Sequence, residues 1–222
     1  MERVARIKSM EAITIDVIRF RLEKPDSIQY KPGQAVDVSI KRKGWENELR
    51  AFTFTSLTTD DYLEFCIKTY PDHHGVTEQL RALTTADSFI LHDVFGTIEY
   101  KGPGLFIAGG AGITPFIAIF KELERTGQVG GNKLLFANKT KADIILNDYF
   151  KRLLGGQFIN VLSSEEVEGY EHGYVTEALI RKYADAGLKY FYLCGPDPMM
   201  NAVEASLHIM GVAEEYIVRE QF

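Results

Sequence analysis

A chain of 222 residues, 45% hydrophobic and 25% charged, has the composition of an ordinary soluble globule with room for one large domain or two modest ones. No apolar run approaches the roughly 20 residues that cross a bilayer, and the N-terminus MERVARIKSM lacks the apolar stretch of a signal peptide; a cytoplasmic location without membrane insertion is expected. The net charge of -6 argues against nucleic-acid binding, and Cys66 and Cys194 are too few for a disulfide framework, a four-thiolate zinc site or an iron–sulfur cluster held within the chain.

Up to about residue 100 the apolar residues recur with period two: Ile18, Phe20, Leu22; Val36, Val38, Ile40; Leu63, Phe65, Ile67; Phe89, Leu91. Turn residues separate these runs, which predicts antiparallel strands in a small barrel or sandwich. One short helix is expected after Gly75, with Val76, Leu80 and Leu83 on one side and Thr77 near its start. Between the strands, Lys41-Arg42-Lys43 is a basic cluster that is either a solvated loop or a docking patch for an acidic partner.

Tyr100-Lys101-Gly102-Pro103-Gly104 reads as a linker, and beyond it strand and helix alternate, the mark of a parallel sheet covered on both faces. Strands are expected at 105–109, 133–138, 158–162, 190–194 and 216–219, and helices at 115–126, 142–154, from Thr176 and at 198–210. In such a sheet, ligands bind beyond the carboxyl ends of the strands. Two motifs stand there. The apolar run Leu105-Phe106-Ile107-Ala108 stops at Gly109-Gly110-Ala111-Gly112, with Ile113, then Thr114 as a plausible N-cap and Pro115 in the first helical position. Glycines permit a sharp turn and close approach, and a helix N-terminus attracts a phosphate. Phe116, Ile119, Phe120 and Leu123 form that helix's apolar face, with Lys121, Glu122 and Glu124 elsewhere. The second motif is Cys194-Gly195-Pro196, followed by Asp197 and Pro198 as N-cap and first turn; Met199, Val203, Leu207 and Met210 line the helix core face.

Arg50-Ala51-Phe52-Thr53, Gly75-x-Thr77 with Leu80, Phe95-Gly96, the turn from Gly109 to Pro115, Cys194-Gly195-Pro196 with Met199, and an aromatic C-terminus occur in the order found in the ferredoxin–NADP reductase family, which the whole chain resembles. The resemblance implies an N-terminal antiparallel Greek-key β-barrel binding FAD (residues 1–100) and a C-terminal doubly wound α/β domain binding NAD(P) (residues 101–222). It places Arg50, Ala51, Phe52, Thr53, Ile67, Lys68, Gly75, Val76, Thr77 and Phe222 around FAD. The nicotinamide nucleotide would meet Gly110, Ala111, Gly112, Ile113, Thr114, Lys139, Cys194, Gly195, Pro196 and Met199. At the hydride-transfer centre it implies Thr53 near flavin N5, Cys194 near nicotinamide C4 and Glu220 as a proton relay, with Phe222 gating the flavin face.

The side-chain chemistry agrees with these roles. Arg50 presents a planar fork for phosphate, Phe52 an apolar plane, Lys68 a second positive charge and Thr77 a hydroxyl. Cys194 has no cation beside it in sequence, so it shapes the site and is not a nucleophile. Phe52 replaces the commoner tyrosine of the family, Asp93-Val94-Phe95-Gly96 replaces Gly-Pro-Phe-Gly, and His73 and His74 read as exposed loop residues, without a metal role. For the nucleotide, Lys139 and Lys141 suit a 2′-phosphate whereas Ser163-Ser164-Glu165-Glu166 repels one; the balance tips to NADPH over NADH. The expected activity is an FAD-dependent NAD(P)H reductase that passes electrons singly to a separate carrier, a flavodoxin or ferredoxin docking near Lys41, Arg42 and Lys43. The alternatives are a reductase of free flavin or another small acceptor, and a noncatalytic adaptor that keeps the fold.

Overall fold

Strands of the first unit form where inward apolar residues alternate with outward polar ones. In the computed structural model, which describes residues 3–70, 75–185 and 187–220, they are β1 (Arg3–Ala12), β2 (Val17–Glu23), β3 (Ala35–Ile40), β4 (Arg50–Thr53), β5 (Tyr62–Lys68) and β6 (Ser88–Phe95). All neighbours pair antiparallel in the order β4-β3-β6-β1-β2-β5. Just past β4, the Thr55 N–H donates to the Glu64 carbonyl of β5 at 2.8 Å, so the sheet nearly closes into a barrel. Its interior is filled by Phe20, Leu22, Val36, Val38, Leu63, Phe65 and Phe89, each with 0% of its surface exposed. The short helix α1 (Val76–Gln79) continues as a 3₁₀ turn through Ala82 and turns Val76, Leu80 and Leu83 into this core.

The second unit is a parallel six-stranded sheet of β7 (Gly104–Gly109), β8 (Lys133–Asn138), β9 (Phe158–Leu162), β10 (Glu171–His172), β11 (Tyr190–Cys194) and β12 (Ile217–Arg219), in the order β10-β9-β8-β7-β11-β12. Helices are α2 (Thr114–Arg125), α3 (Asn147–Leu154), α4 (Glu177–Tyr183) and α5 (Asp197–Ile209). One face of the sheet, Leu105, Ile107, Leu135, Val161 and Leu193, packs with Ile180 of α4 and Val203 and Leu207 of α5. From β7 the chain winds one way through β8 and β9, then returns to the other side of β7 at β11. The order therefore reverses between β7 and β11, a doubly wound sheet with its switch point there.

The chain forms two compact units that are discontinuous in sequence: one is Met1–Gly96 with Thr114–Glu122, and the other is Thr97–Ile113 with Leu123–Phe222. Most of α2 thus belongs with the barrel, and Phe116, Ile117, Ala118, Ile119 and Phe120 are all buried. One apolar face is expected of α2 from its sequence; the structure buries every residue from Thr114 to Phe120 and leaves Lys121, Glu122, Glu124 and Arg125 at least partly exposed.

Four local expectations are corrected. A 3₁₀ turn over Gly110–Ile113 runs straight into α2, so Thr114 is its first residue and Pro115 its second. Pro196, extended at φ -62 and ψ 144, caps α5, which moves Asp197 into the first turn and Pro198 behind it. The helix expected at 142–154 breaks: Thr140 and Asp143 form a reciprocal capping box over a 3₁₀ turn, and Leu146 adopts φ 53 before α3 begins. Two strands escape the periodicity: β1 turns only Ala5 and Ile7 fully inward, and β10 has two residues.

Candidate functional site

At the barrel, β4 carries the flavin-motif residues on an edge of the sheet order, paired with β3 through Ala35–Thr53, Val36–Phe52, Asp37–Ala51 and Val38–Arg50. Arg50 and Ala51 are exposed, whereas Phe52 and Thr53 are half-buried, and Phe52 leans on the barrel core. Among the described residues the exposed Arg50 guanidinium donates to its neighbour's carbonyl on Leu49 at 2.6 Å, which leaves most of its fork available. Lys68 at the end of β5 is held by Asp16, Nζ to Oδ2 at 2.9 Å, so its charge is shared rather than isolated. Ile67 and Val76 point their side chains into the core and can offer a cofactor only backbone groups. Gly75 and Thr77, at the start of α1, are half-buried. His73, His74 and Phe222 lie outside the described residues.

At the second unit, the turns after β7 and β11 meet at the switch point. A Cβ on Gly112 would lie 2.2 Å from the Cys194 carbonyl oxygen, and one on Gly109 would lie 2.6 Å from Met199 Sδ. A Cβ on Gly195 would fall 2.5 Å from Met199 Cε. Glycine is therefore required at position 112, where a side chain would meet backbone, whereas at 109 and 195 it would chiefly displace Met199, the wedge beneath both turns. Gly110 has φ +51 and open space around it, so the rim of the turn admits a ligand. Ile113, by contrast, is fully buried and anchors the turn. Pro196 follows the second turn as the α5 cap.

Burial, with the charge of nearby Glu220 adding to it, pushes the Cys194 thiol up to about 12, so it is protonated at neutral pH. Glu220 takes the Thr97 N–H on its carboxylate at 3.2 Å, and the Thr97 hydroxyl donates to the Arg219 carbonyl at 2.9 Å. Around the ends of β8 and β9, Ser163 and Ser164 donate to the carbonyls of Asn138 and Lys139 at 3.0 and 2.9 Å. The Glu165 carboxylate accepts the Lys141 N–H at 2.7 Å, while the Lys139 and Lys141 side chains are exposed.

These donors fit an FAD and a nicotinamide dinucleotide. The exposed fork of Arg50 and the Thr77 hydroxyl suit phosphates. Gly110 rims a glycine turn at a helix start. At the carboxyl end of β8, the buried Nδ2 of Asn138 has no hydrogen-bond partner among the described residues, a donor that sequence reasoning passed over. The basic cluster fits its expected role less completely. Arg42 is committed to Asp87 by two bonds of 2.8 and 2.9 Å, leaving Lys41 and Lys43 exposed.

An antiparallel barrel with a cationic edge strand, joined to a doubly wound sheet with a glycine turn at its switch point, defines a two-domain binder of flavin and nicotinamide nucleotides. Residues 3–109 match the family described as "FAD-binding domain" and residues 106–205 the one described as "Oxidoreductase NAD-binding domain". The two matches together span residues 3–205, and the two-domain fold is ferredoxin–NADP reductase-like. It is 30% identical over 237 residues to the reductase component of propane 2-monooxygenase from Rhodococcus jostii, covering 98% of this chain and 62% of that protein. To NADH-cytochrome b5 reductase 1 of Aspergillus terreus it is 29% identical, covering 89% of this chain and 73% of that one. The fold matches a ferredoxin NADP+ reductase from Neisseria gonorrhoeae, solved with FAD and NADP, at a TM-score of 0.86 and 20% identity over 99% of this chain and 98% of the other.

Proposed function

We propose that the chain is an FAD-dependent NAD(P)H oxidoreductase, with residues 1–100 holding the flavin and residues 101–222 the nicotinamide nucleotide. The observation that carries this reading is the meeting of the Gly109–Gly112 and Cys194–Pro196 turns at the switch point, in a chain whose preceding barrel displays Arg50. When bound, the two cofactors supply hydride transfer from nicotinamide to flavin and release of single electrons. The protein binds and orients. Arg50 and Thr77 hold flavin phosphates, Phe52 gives the ring an apolar surface, and Thr53 offers a hydroxyl at its edge. The Gly110–Thr114 segment receives the nucleotide pyrophosphate. Cys194, as a neutral thiol, shapes the nicotinamide position, and Glu220 holds the chain beside it through Thr97.

For the nucleotide we favour NADH, against the NADPH expected from the charges in the sequence. Glu165 is fixed by the Lys141 amide in the loop where a 2′-phosphate would need a cation, and a carboxylate there accepts a 2′-hydroxyl and repels a phosphate. The acceptor is a separate one-electron carrier, with a flavodoxin or ferredoxin as the class and Lys41 and Lys43 as its docking charges. The relatives named as a monooxygenase reductase component and a cytochrome b5 reductase support electron delivery to another protein.

Anaerobic titration of the purified yellow protein with NADH and with NADPH tests this reading. The expected result is bleaching of the flavin band by both, at about tenfold lower concentration of NADH, the discrimination of one modest ionic contact. A colourless protein, or a flavin that neither nucleotide reduces, overturns it.

A further inference from the structure

Glu64 is a charged side chain in a place that does not favour charge. On β5 its side chain is 1% exposed, yet three donors surround it: Arg21 Nε at 3.0 Å, Thr55 Oγ1 at 3.1 Å and Lys121 Nζ at 2.8 Å. The same Lys121 ammonium donates to the Thr55 carbonyl at 2.7 Å. Lys121 therefore stitches the seam at which the barrel closes, touching β5 through Glu64 and the continuation of β4 through Thr55. Thr55 stands two residues after Thr53, the last residue of the flavin-motif strand. Arg21 is 43% exposed and gives the carboxylate a wetter, weaker partner; the 21% exposed Lys121 gives the drier one.

The helix that supplies Lys121 begins where the nucleotide turn ends. The 3₁₀ turn over Gly110–Ile113 passes into α2 without a break, and Phe116–Phe120 contribute no charged group. Lys121 is thus the first charged side chain after the turn, and its ammonium is directed at the flavin strand's own continuation. We infer that the Lys121–Glu64–Thr55 contact is a positioning device for the proposed reaction: it fixes α2, the helix that begins where the nucleotide-phosphate turn ends, to the strand that carries the flavin motif. Neither Lys121 nor Glu64 touches the reacting atoms in this scheme. The inference rests on the proposed reductase reading, because only a reaction between two bound cofactors needs the two elements held in register.

The test uses the full chain as Lys121→Met, Lys121→Arg and Glu64→Gln. Hydrogen exchange at the 110–114 amides is measured without nucleotide, and flavin reduction is followed in single turnovers at saturating NADH. Lys121→Met should retain its flavin, exchange these amides about tenfold faster and reduce its flavin about tenfold more slowly, with KM little changed. Lys121→Arg, which keeps the charge, should return both quantities most of the way to the parent values. Glu64→Gln preserves side-chain shape and should follow Lys121→Met if the latter folds poorly. A fall in thermal midpoint with exchange and reduction unaltered would show a merely structural pair and overturn the inference. If the parent protein is never reduced, the function reading fails first, and the exchange measurement still decides whether the pair fixes the turn.

Discussion

Cys194 shows how much of a site depends on one residue's surroundings. It sits at the carboxyl end of β11, its carbonyl against Gly112, with burial and Glu220 keeping the thiol neutral. Cys66, on β5, is likewise pushed up to about 12 by burial. Both cysteines should therefore react with iodoacetamide at pH 8 about a thousandfold more slowly than an exposed cysteine, whose pKa is about 8.5. Peptide mass analysis after timed quenching checks this, and rapid labelling of Cys194 would return it to the list of nucleophiles. The absence of a neighbouring cation in sequence was enough to argue against a thiolate. The partners of Arg42 and Lys68 were not legible in the same way, since Asp87 lies 45 residues from Arg42 and Asp16 meets Lys68 through the β2–β5 register. Pairings across strands follow from register, which no local pattern specifies.

At the scale of elements, the long periodic strands and the glycine turn were readable, and the failures fall at boundaries. The 3₁₀ turn before α2 displaced Thr114 from its capping role because backbone bonding had already continued the helix. The linker after the barrel shows a device that sequence could not reveal. The Tyr192 ring is fully buried and stacks on Phe106 at 4.1 Å. Its hydroxyl accepts the N–H groups of Lys101 and Gly102 at 2.9 and 3.0 Å and donates to the Gly102 carbonyl at 2.7 Å. Tyr192→Phe keeps the stack but strands three backbone groups. A loss of about 2 kcal/mol in urea unfolding is expected, from roughly 1 to 3 kcal/mol per unsatisfied buried group, with partial access of water. Faster proteolysis near Lys101 should accompany it. An unchanged unfolding midpoint would mean that water replaces the hydroxyl.

For the whole molecule, the alternation of β and α segments was sufficient to foresee a doubly wound sheet, and period-two runs foresaw the antiparallel strands. The discontinuous grouping of Thr114–Glu122 with the barrel was not foreseen, because Lys121 reads as a solvated residue when only its own helix is considered. Acid stability follows from the same pair. Burial alone would raise the Glu64 carboxyl, but Lys121 and Arg21 more than offset this and leave it below its ordinary 4.5. A lowered folded pKa means that the stabilisation is complete above 4.5 and is lost as pH falls through the lower folded value. In Lys121→Met, burial regains weight and the carboxyl moves up, so the acid-unfolding midpoint should rise by about one pH unit. Circular dichroism across pH 2 to 6 measures it, and coincident curves would remove Glu64 from the acid transition.

The seam closed by Lys121 also carries a consequence for the order of events on the ribosome. Glu64 and the lysine that neutralises it are 57 residues apart, and the six strands of the barrel are all synthesised before α2. A nascent barrel must therefore either leave its closing edge open or bury a carboxylate supported by Arg21 and the Thr55 hydroxyl, without the lysine. Release of the segment through Glu122 is the moment at which the N-terminal unit can be completed, so a chain stalled between residues 100 and 113 is the one most exposed to pairing its open edge with a neighbour.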